Sequence, residues 1–510
     1  MEGGIKLDRW GYEVKTTSDA CISAINSYYE QVLTYGRKRR VILEAAKHDA
    51  NCVLANSLAA LFLASSDCSR AQQHLRAADT RLEEATNYER AVFDVISYLL
   101  SSKIEDDVAV EKHIKVLLYS VLSLGATMVA GTKFGCWRKC SAIIPSVGVY
   151  GFGFHLQLLD DYPKDLVSLK RAQILCFYMG DPGWSLNLVE KVLPMNEHQE
   201  YIYGMLAFPL LEVGRMAEAA EAAKKGYLIN NRDFWSQHAI CHVLQDECRF
   251  KEAVNFMQDC SYTWTSCSSF MLTHNWWHVA LCYLEAGCSI TKVLQIYDDH
   301  IWKELESDDA IPAEVYLNAL GLMLRLQVRG ELEALGNRLK VLTERVSDKT
   351  YWHLECHLDL YIIWALSQAG DHSKAEDVIN GLKSRIAKRS QKRQELMQRG
   401  ILLAEAVLEY GKCNYERALE LLGPAFEANE YKMVGASGEQ LAVFDELWYR
   451  MLLNSGRAKE AVEVIEKRMK DSEGVPFLWC LLAEGYAITG RPEATAASNR
   501  AAELSSSYFP

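Results

Sequence analysis

The sequence predicts an all-α fold built from repeated pairs of antiparallel helices. Three observations predict it: an apolar and small-residue pattern recurs about every 34 residues, a turn residue follows the first helix of each pair, and strand signals are almost absent. The clearest pair closes the chain, and its pattern residues are Trp479, Leu482, Ala483, Tyr486, Gly490, Ala494 and Ala502. Small residues suit a close helix crossing, and large ones fill the space between neighbouring pairs.

The same pattern occurs in five earlier units in compatible phase, and a weaker unit surrounds Ala406 and Ala418. The turn positions of the five units are Gly214, Cys248, Gly287, Gly370 and Gly456. A period of about 34 residues is typical of tetratricopeptide arrays. We therefore expect an α-α superhelical solenoid of degenerate tetratricopeptide-type helical hairpins.

Composition limits the class of protein. The chain has 510 residues, of which 49% are hydrophobic and 24% charged, as in ordinary folded proteins. Its net charge of −12 argues against nucleic-acid binding, which needs a basic surface. The first residues lack an apolar signal core, and the 15 cysteines include no CxxC pair. We therefore expect a cytoplasmic protein with reduced thiols and with neither nucleic acid nor membrane as a partner.

Residues 114–155 interrupt the repeat pattern. This segment is rich in glycine and has no acidic residue, and joining His113 directly to Leu156 restores a normal second helix. We interpret it as a non-homologous insertion. The alternative, a membrane span, is less well supported because the apolar run is short and a proline interrupts the next one. The predicted organisation is degenerate helical repeats in residues 1–113, an apolar and glycine-rich insertion in 114–155, and the repeat array in 156–510.

Four histidines form two pairs with i,i+4 spacing, so each pair projects from one face of its helix. The pairs are His238 with His242 in HAICH, and His274 with His278 in HNWWH. They occupy the first helices of neighbouring units. Because first helices line the concave groove of such arrays, we expect three of these imidazoles to face the groove, with His278 at its edge.

The leading hypothesis is a scaffold that binds a protein, a peptide or a small ligand in this groove, with no catalytic residues. Aromatic and histidine side chains offer rigid faces with polar tips for such contacts. The expected lining residues are His238, His242, Gln245, His274, Trp276, Trp277 and His278. No phosphate-binding glycine loop or serine-nucleophile motif argues for an enzyme.

The alternative hypothesis is a Zn²⁺-binding protein or a metal-dependent hydrolase. Four imidazoles are competent zinc ligands, with Asp246 or Asp298 as a further ligand or base. The glutamate of the HExxH motif is missing, because Ala239-Ile240-Cys241 and Asn275-Trp276-Trp277 stand between the paired histidines. A simpler alternative is that the histidines pack with nearby tryptophans and need no cofactor. For a third pair, His353 and His357, we expect a surface or packing role.

The stretch FWSQHAICHVLQDECRFKEAVNFMQ, followed by HNWWHVALCYLEAG and IYDDHI, resembles the tetratricopeptide repeat protein 38 family, in a plant-like form. The resemblance covers roughly residues 8–113 and 156–498. It is most specific at His238, His242, His274, Trp277, His278, Asp298 and His300. Gln245 stands where animal members of the family have a glutamate. The resemblance implies an α-solenoid and no established activity.

Overall fold

The computed structural model describes residues 4–101, 158–389, 391–470 and 472–509. The predicted insertion, residues 114–155, lies outside the described residues. The all-α class is confirmed, since the described residues form helices apart from one short hairpin. The chain divides into two units. Unit 1 contains residues 1–197 and 384–396, and unit 2 contains residues 198–383 and 397–510.

Unit 1 begins with a β-hairpin that the sequence analysis missed. Strand β1 (Ile5–Leu7) pairs antiparallel with β2 (Glu13–Lys15), and Lys6 lies opposite Val14. Strands of 3 residues are too short to show an alternating pattern. The helices of unit 1 are α1 (Asp19–Leu33), α2 (Ile42–His48), α3 (Val53–Leu63), α4 (Cys68–Asp79), α5 (Asn87–Ser101), α6 (Leu166–Met179) and α7 (Pro182–Val192).

Unit 2 contains the repeat hairpins that the sequence predicts. Its helices before residue 384 are α8 (Ile202–Glu212), α9 (Met216–Ile229), α10 (Phe234–Asp246), α11 (Phe250–Cys260), α12 (Ser269–Glu285), α13 (Ile290–Ile296), α14 (Pro312–Val328), α15 (Arg338–Val346), α16 (Cys356–Gln368) and α17 (His372–Ile386). Those that follow are α18 (Gln391–Gly411), α19 (Tyr415–Leu422), α20 (Gly438–Asn454), α21 (Ala458–Met469), α22 (Pro476–Ile488) and α23 (Ala494–Tyr508). The end of α17 and the start of α18 are counted with unit 1.

The predicted turn positions all have a left-handed backbone. The five glycines have φ angles between 68° and 80°, and Cys248 has φ 55°. A left-handed residue after a helix lets the chain reverse while its N–H still bonds to the last helical turn. Cys248 and Gly287, for example, donate to the carbonyls of Gln245 and Leu284. The repeat phase inferred from the sequence is therefore the phase of the hairpins.

Unit 2 folds back on itself, so that its last helices pack against its early ones. The ring of Tyr508 on α23 lies 5.0 Å from that of Phe250 on α11, and Phe509 lies 4.9 Å from Tyr283 on α12. Helix α20 packs against α14. Unit 2 is thus a closed arrangement of hairpins.

Within the described ranges, no helix is both long enough and apolar enough to cross a membrane.

Candidate functional site: a buried histidine cluster

The four predicted histidines come together where α10 packs beside α12. Side-chain caps fix the start of both helices, because Asp233 accepts a hydrogen bond from the N–H of Trp235 and Ser268 accepts one from that of Met271. The described ring-centroid distances within the cluster lie between 4.5 and 5.1 Å. We call His238, His242, His274 and His278 the His cluster.

Within each i,i+4 pair of the His cluster, the two Nε2 atoms lie close together. Those of His238 and His242 are 2.9 Å apart, and those of His274 and His278 are 3.3 Å apart. One ring nitrogen from each of His238, His242 and His278 lies within 4.8 Å of the others. Several nitrogen lone pairs or N–H groups therefore share one small volume.

The Nδ1 atoms of His274 and His278 point outward to oxygen atoms. His274 Nδ1 lies 2.9 Å from Asn318 Oδ1 on α14. His278 Nδ1 lies 2.9 Å from Oε1 of Gln245 on α10. Gln245, the position where the family resemblance has a glutamate, thus contacts the His cluster directly.

Glu439 brings a carboxyl group to the His cluster, and the sequence analysis did not identify it. Its Oε2 lies 3.0 Å from His242 Nδ1 and 3.3 Å from His278 Nδ1. Glu439 is in the first turn of α20, which a capping box of Ser437 and Gln440 initiates. No local pattern could have found it, because only the closure of unit 2 brings α20 to α10 and α12.

The carboxylates that the sequence analysis considered lie elsewhere. Asp246 is exposed near the end of α10. Asp298 forms a bidentate pair with Arg338, with Nε–Oδ1 and Nη2–Oδ2 distances of 2.8 and 2.6 Å. Of the described carboxyl groups, that of Glu439 contacts the His cluster directly.

The two neighbouring tryptophans occupy different surroundings. Trp277 is buried and stacks on His274 with a centroid distance of 5.4 Å and an interplanar angle of 8°. Trp276 stacks on His300 at 3.6 Å and meets Trp264 edge-on. His300 lies in a π-helical turn, Tyr297–Ile301. The structure brings Trp277 to the His cluster and places Trp276 on another face of α12.

The His cluster is more enclosed than the open groove that we expected from the sequence. His238, His274 and His278 have exposed fractions of 2%, 5% and 0%. The side chains of His242 and Glu439 keep 10% and 18%, and Gln245 is half-buried. Contact with solvent is therefore concentrated at one edge, formed by His242, Gln245 and Glu439.

Burial also sets the protonation of the His cluster. It lowers the pKa of His242 and of His274 to about 4 and lowers that of His278 further below its usual value. Burial raises the pKa of Glu439 to about 8, although Arg325 opposes this shift. The rings of His242, His274 and His278 are thus neutral at physiological pH, which is the form that binds metal ions and that both donates and accepts hydrogen bonds.

The third histidine pair lies on or beside α16. His353 Nδ1 is 3.2 Å from Asp359 Oδ2. His357 is fully buried against the ring of Tyr361, at a centroid distance of 4.5 Å, and burial lowers its pKa to about 3. The two rings have separate partners, so this pair does not repeat the arrangement of the His cluster.

These features define the class of protein: an all-α repeat protein whose hairpins enclose a polar, histidine-rich centre. No family model matches the chain. Among solved structures, the human IFIT1 dimer with PPP-AAAA is similar at 13% identity, covering 98% of this chain and 95% of that chain, with a TM-score of 0.40. A monomeric IFIT1 mutant with Gppp-AAAA is similar at 13% identity over 96% of both chains, with a TM-score of 0.39. At these values the likeness carries no conclusion about what this chain binds.

Proposed function

We propose that the protein is a non-catalytic helical-repeat scaffold and that unit 2 binds a small ligand at the His cluster. One observation carries the proposal: α10, α12, α14 and α20 each direct polar side chains to the same enclosed volume. Burying polar groups costs free energy unless they find partners. Because Glu439 Oε2 is buried at this centre without a hydrogen-bond partner among the described residues, a bound ligand explains the arrangement better than packing alone.

Enclosure supports a small ligand over an extended peptide. A peptide would have to lie along His238, His274 and Trp277, which are buried. A small ligand needs only the edge formed by His242, Gln245 and Glu439. The polar groups at this edge, the Glu439 carboxyl and the Gln245 amide, favour a ligand that forms hydrogen bonds.

A peptide partner fits another place in unit 2 better. An open groove of about 630 Å³ lies between α15 and the helices α16 and α17. Leu339 and Ala369 contribute apolar lining, and Lys340 and Lys374 contribute charge. As a second candidate function, we propose that this groove holds the protein or peptide partner expected from the sequence.

Two further expectations belong with this proposal. The residues of the His cluster, together with Trp277, Asp298 and His300, support membership of the tetratricopeptide repeat protein 38 family. The cysteines that the structure describes are all free thiols, which supports a cytoplasmic location.

Native mass spectrometry tests the proposed function. The full chain, purified without a metal-affinity resin, is expected to carry a bound mass that disappears on denaturation. The double variant His238→Ala/His278→Ala is expected to lose this mass. The matched control His300→Ala changes a histidine of unit 2 that stacks on Trp276, and it is expected to keep the mass. A wild-type chain without bound mass, which also gains none from divalent metal ions or a small-molecule extract, would overturn the proposal.

A further inference from the structure

We propose that the ligand is a divalent transition-metal ion of the Zn²⁺ type, coordinated by the Nε2 atoms of the His cluster. This inference rests on the proposed function and names the ligand of the same site. It follows from the tautomer of each ring, that is, from which ring nitrogen carries the hydrogen. The surrounding side chains determine this tautomer.

Asn318 determines the hydrogen position on His274. The amide nitrogen of Asn318 donates to Thr273 Oγ1 at 2.9 Å and to the carbonyl oxygen of Glu314 at 3.3 Å. Its Oδ1 must therefore face His274 Nδ1, and an oxygen acceptor requires a hydrogen on that nitrogen. Neutral His274 then has its lone pair on Nε2.

Gln245 imposes the same arrangement on His278. The thiol of Cys241 donates to Gln245 Oε1 at 3.4 Å, and Gln245 also hydrogen-bonds to Glu439. These contacts orient Oε1 toward His278 Nδ1, which must carry the hydrogen. The lone pair of His278 is therefore also on Nε2.

Two lone pairs then face each other across 3.3 Å, the distance between the Nε2 atoms of His274 and His278. Two acceptors at this separation repel unless a cation lies between them. In a tetrahedral zinc site with Zn–N bonds of ~2.0–2.1 Å, two ligand nitrogens are about 3.3 Å apart. The observed distance is the one that a shared metal ion requires.

The other two rings bring two further nitrogens close to His278, in a group that does not include His274. His238, His242 and His278 each offer a nitrogen within 4.8 Å of the others. His238 and His242, whose Nε2 atoms are 2.9 Å apart, need to separate by only a few tenths of an ångström. A four-nitrogen site, with one i,i+4 pair from α10 and one from α12, therefore requires the His274 ring to move toward His238 and His242.

The surrounding oxygens form the outer shell that metal-bound histidines commonly have. Such histidines donate the second ring N–H to a carboxylate or carbonyl oxygen, which fixes the ring and increases its basicity. Asn318 and Gln245 supply these oxygens to His274 and His278, and Glu439 Oε2 lies 3.0 Å from His242 Nδ1. The ion would connect α10 with α12 directly and both with α14 and α20 through the outer shell.

Metal analysis of the full chain tests the inference. Protein purified without a metal-affinity resin is expected to contain about one Zn²⁺ per chain, as a single four-nitrogen site requires. Removal of Zn²⁺ with a chelator should lower the melting temperature, and added Zn²⁺ alone should restore it. Replacement by Co²⁺ should give visible absorption bands of a tetrahedral site.

Variants separate coordination from folding. His278→Ala should abolish Zn²⁺ binding, whereas His300→Ala should retain it. Asn318→Leu leaves all four rings in place and should weaken Zn²⁺ affinity by about 10- to 100-fold, the usual cost of losing an outer-shell partner. This second variant keeps the test decisive if His278→Ala does not fold.

Two results would overturn the inference: a wild-type chain that binds no Zn²⁺ and does not change its melting temperature with it, or equal Zn²⁺ binding by wild type and Asn318→Leu. If the wild type lacks metal but carries an organic mass that His238→Ala/His278→Ala loses, the metal inference fails and the proposed function stands. If it carries neither, both fail.

Discussion

Arg329 binds Glu446 through two hydrogen bonds, from Nη2 to Oε1 at 2.6 Å and from Nε to Oε2 at 3.0 Å. The pair is almost completely buried, and Arg329 also contacts Glu285 Oε1 at 2.6 Å. Arg329 directly follows α14, Glu285 ends α12 and Glu446 lies in α20. One guanidinium therefore joins three hairpins of unit 2, close to the helices that carry the His cluster.

Arg329→Met is expected to destabilise unit 2 by about 3–5 kcal/mol, because it leaves the Glu446 carboxylate buried without its main partner. The free energy of unfolding, measured by urea denaturation, checks this value. Arg457→Met is the matched control, since Arg457 makes a comparable bidentate pair with Glu460 at the surface. Exposed pairs contribute at most about 1 kcal/mol. If both variants lose the same unfolding free energy, burial of the Arg329–Glu446 pair is not the cause of the loss.

Gly204→Ala is expected to destabilise unit 2 because α8 and α10 cross closely at Gly204. A Cβ atom there would lie 2.8 Å from Trp235 Cβ and 2.9 Å from the backbone nitrogen of Ser236, and it would also meet Asp233. Forcing an extra methyl group into such a contact costs about 1–3 kcal/mol. The melting temperature should fall accordingly.

The matched control for that substitution is Gly183→Ala in α7. There the nearest atom, Asp181 Oδ1, would be 3.6 Å from the new Cβ. An unstrained helical alanine stabilises by roughly 0.5–1 kcal/mol relative to glycine. A similar destabilisation of both variants would show that contact at Gly204 is not the cause.

Asp8→Asn is expected to stabilise unit 1 at pH 8 and to have little effect at pH 4. Burial raises the pKa of Asp8 to about 6 from its usual 3.8. The folded state therefore binds the proton more tightly, and stability falls as pH rises through the interval between these values. The cost of the ionised form is about 3 kcal/mol. Asparagine can still accept the N–H groups of Trp10 and Tyr12.

The pH dependence of the unfolding free energy checks this prediction. Asp348→Asn is a control of opposite sign, because the N–H of Thr350 lowers the pKa of exposed Asp348. Its contribution to stability is present at neutral pH and is lost as pH falls. The prediction for Asp8 fails if the unfolding free energies of Asp8→Asn and wild type differ by the same amount at pH 4 and pH 8.

Gln237→Leu is expected to cost about 1–3 kcal/mol, the penalty for leaving a buried donor unsatisfied. The indole N–H of fully buried Trp264 donates to Gln237 Oε1 at 2.8 Å. Thermal unfolding monitored by tryptophan fluorescence provides the measurement. Ser261→Ala removes an exposed hydrogen bond nearby and should change stability by less than about 0.5 kcal/mol. The explanation is wrong if the two variants unfold at the same temperature.

Local features of unit 2 could be predicted from the sequence, because hairpins depend on residues close together in the chain. The turn that the sequence predicts at Cys248 is confirmed, although this residue is not glycine. Trp276 and Trp277 were expected to line one surface, but consecutive helical residues point about 100° apart. Whether each predicted residue binds a ligand stays a prediction.

Long-range features could not be predicted. Glu439 reaches the His cluster only because α20 packs against α14. The local sequence pattern around Glu439 does not indicate that contact. The same packing accounts for the burial of the histidines, which the repeat frame alone would place in an open groove. The β-hairpin at Ile5–Lys15 was missed because its strands are too short for periodicity to appear.

The return of α20–α23 onto the early helices has a consequence for how unit 2 folds during synthesis. An open repeat array can add hairpins one at a time as they leave the ribosome. Here the partners of Arg329, and the aromatic residues that cover α11 and α12, are translated more than a hundred residues later. Until then these early contacts cannot form. We expect the early hairpins to remain only partly stable until α23 emerges, and completion of unit 2 to be a late, cooperative event.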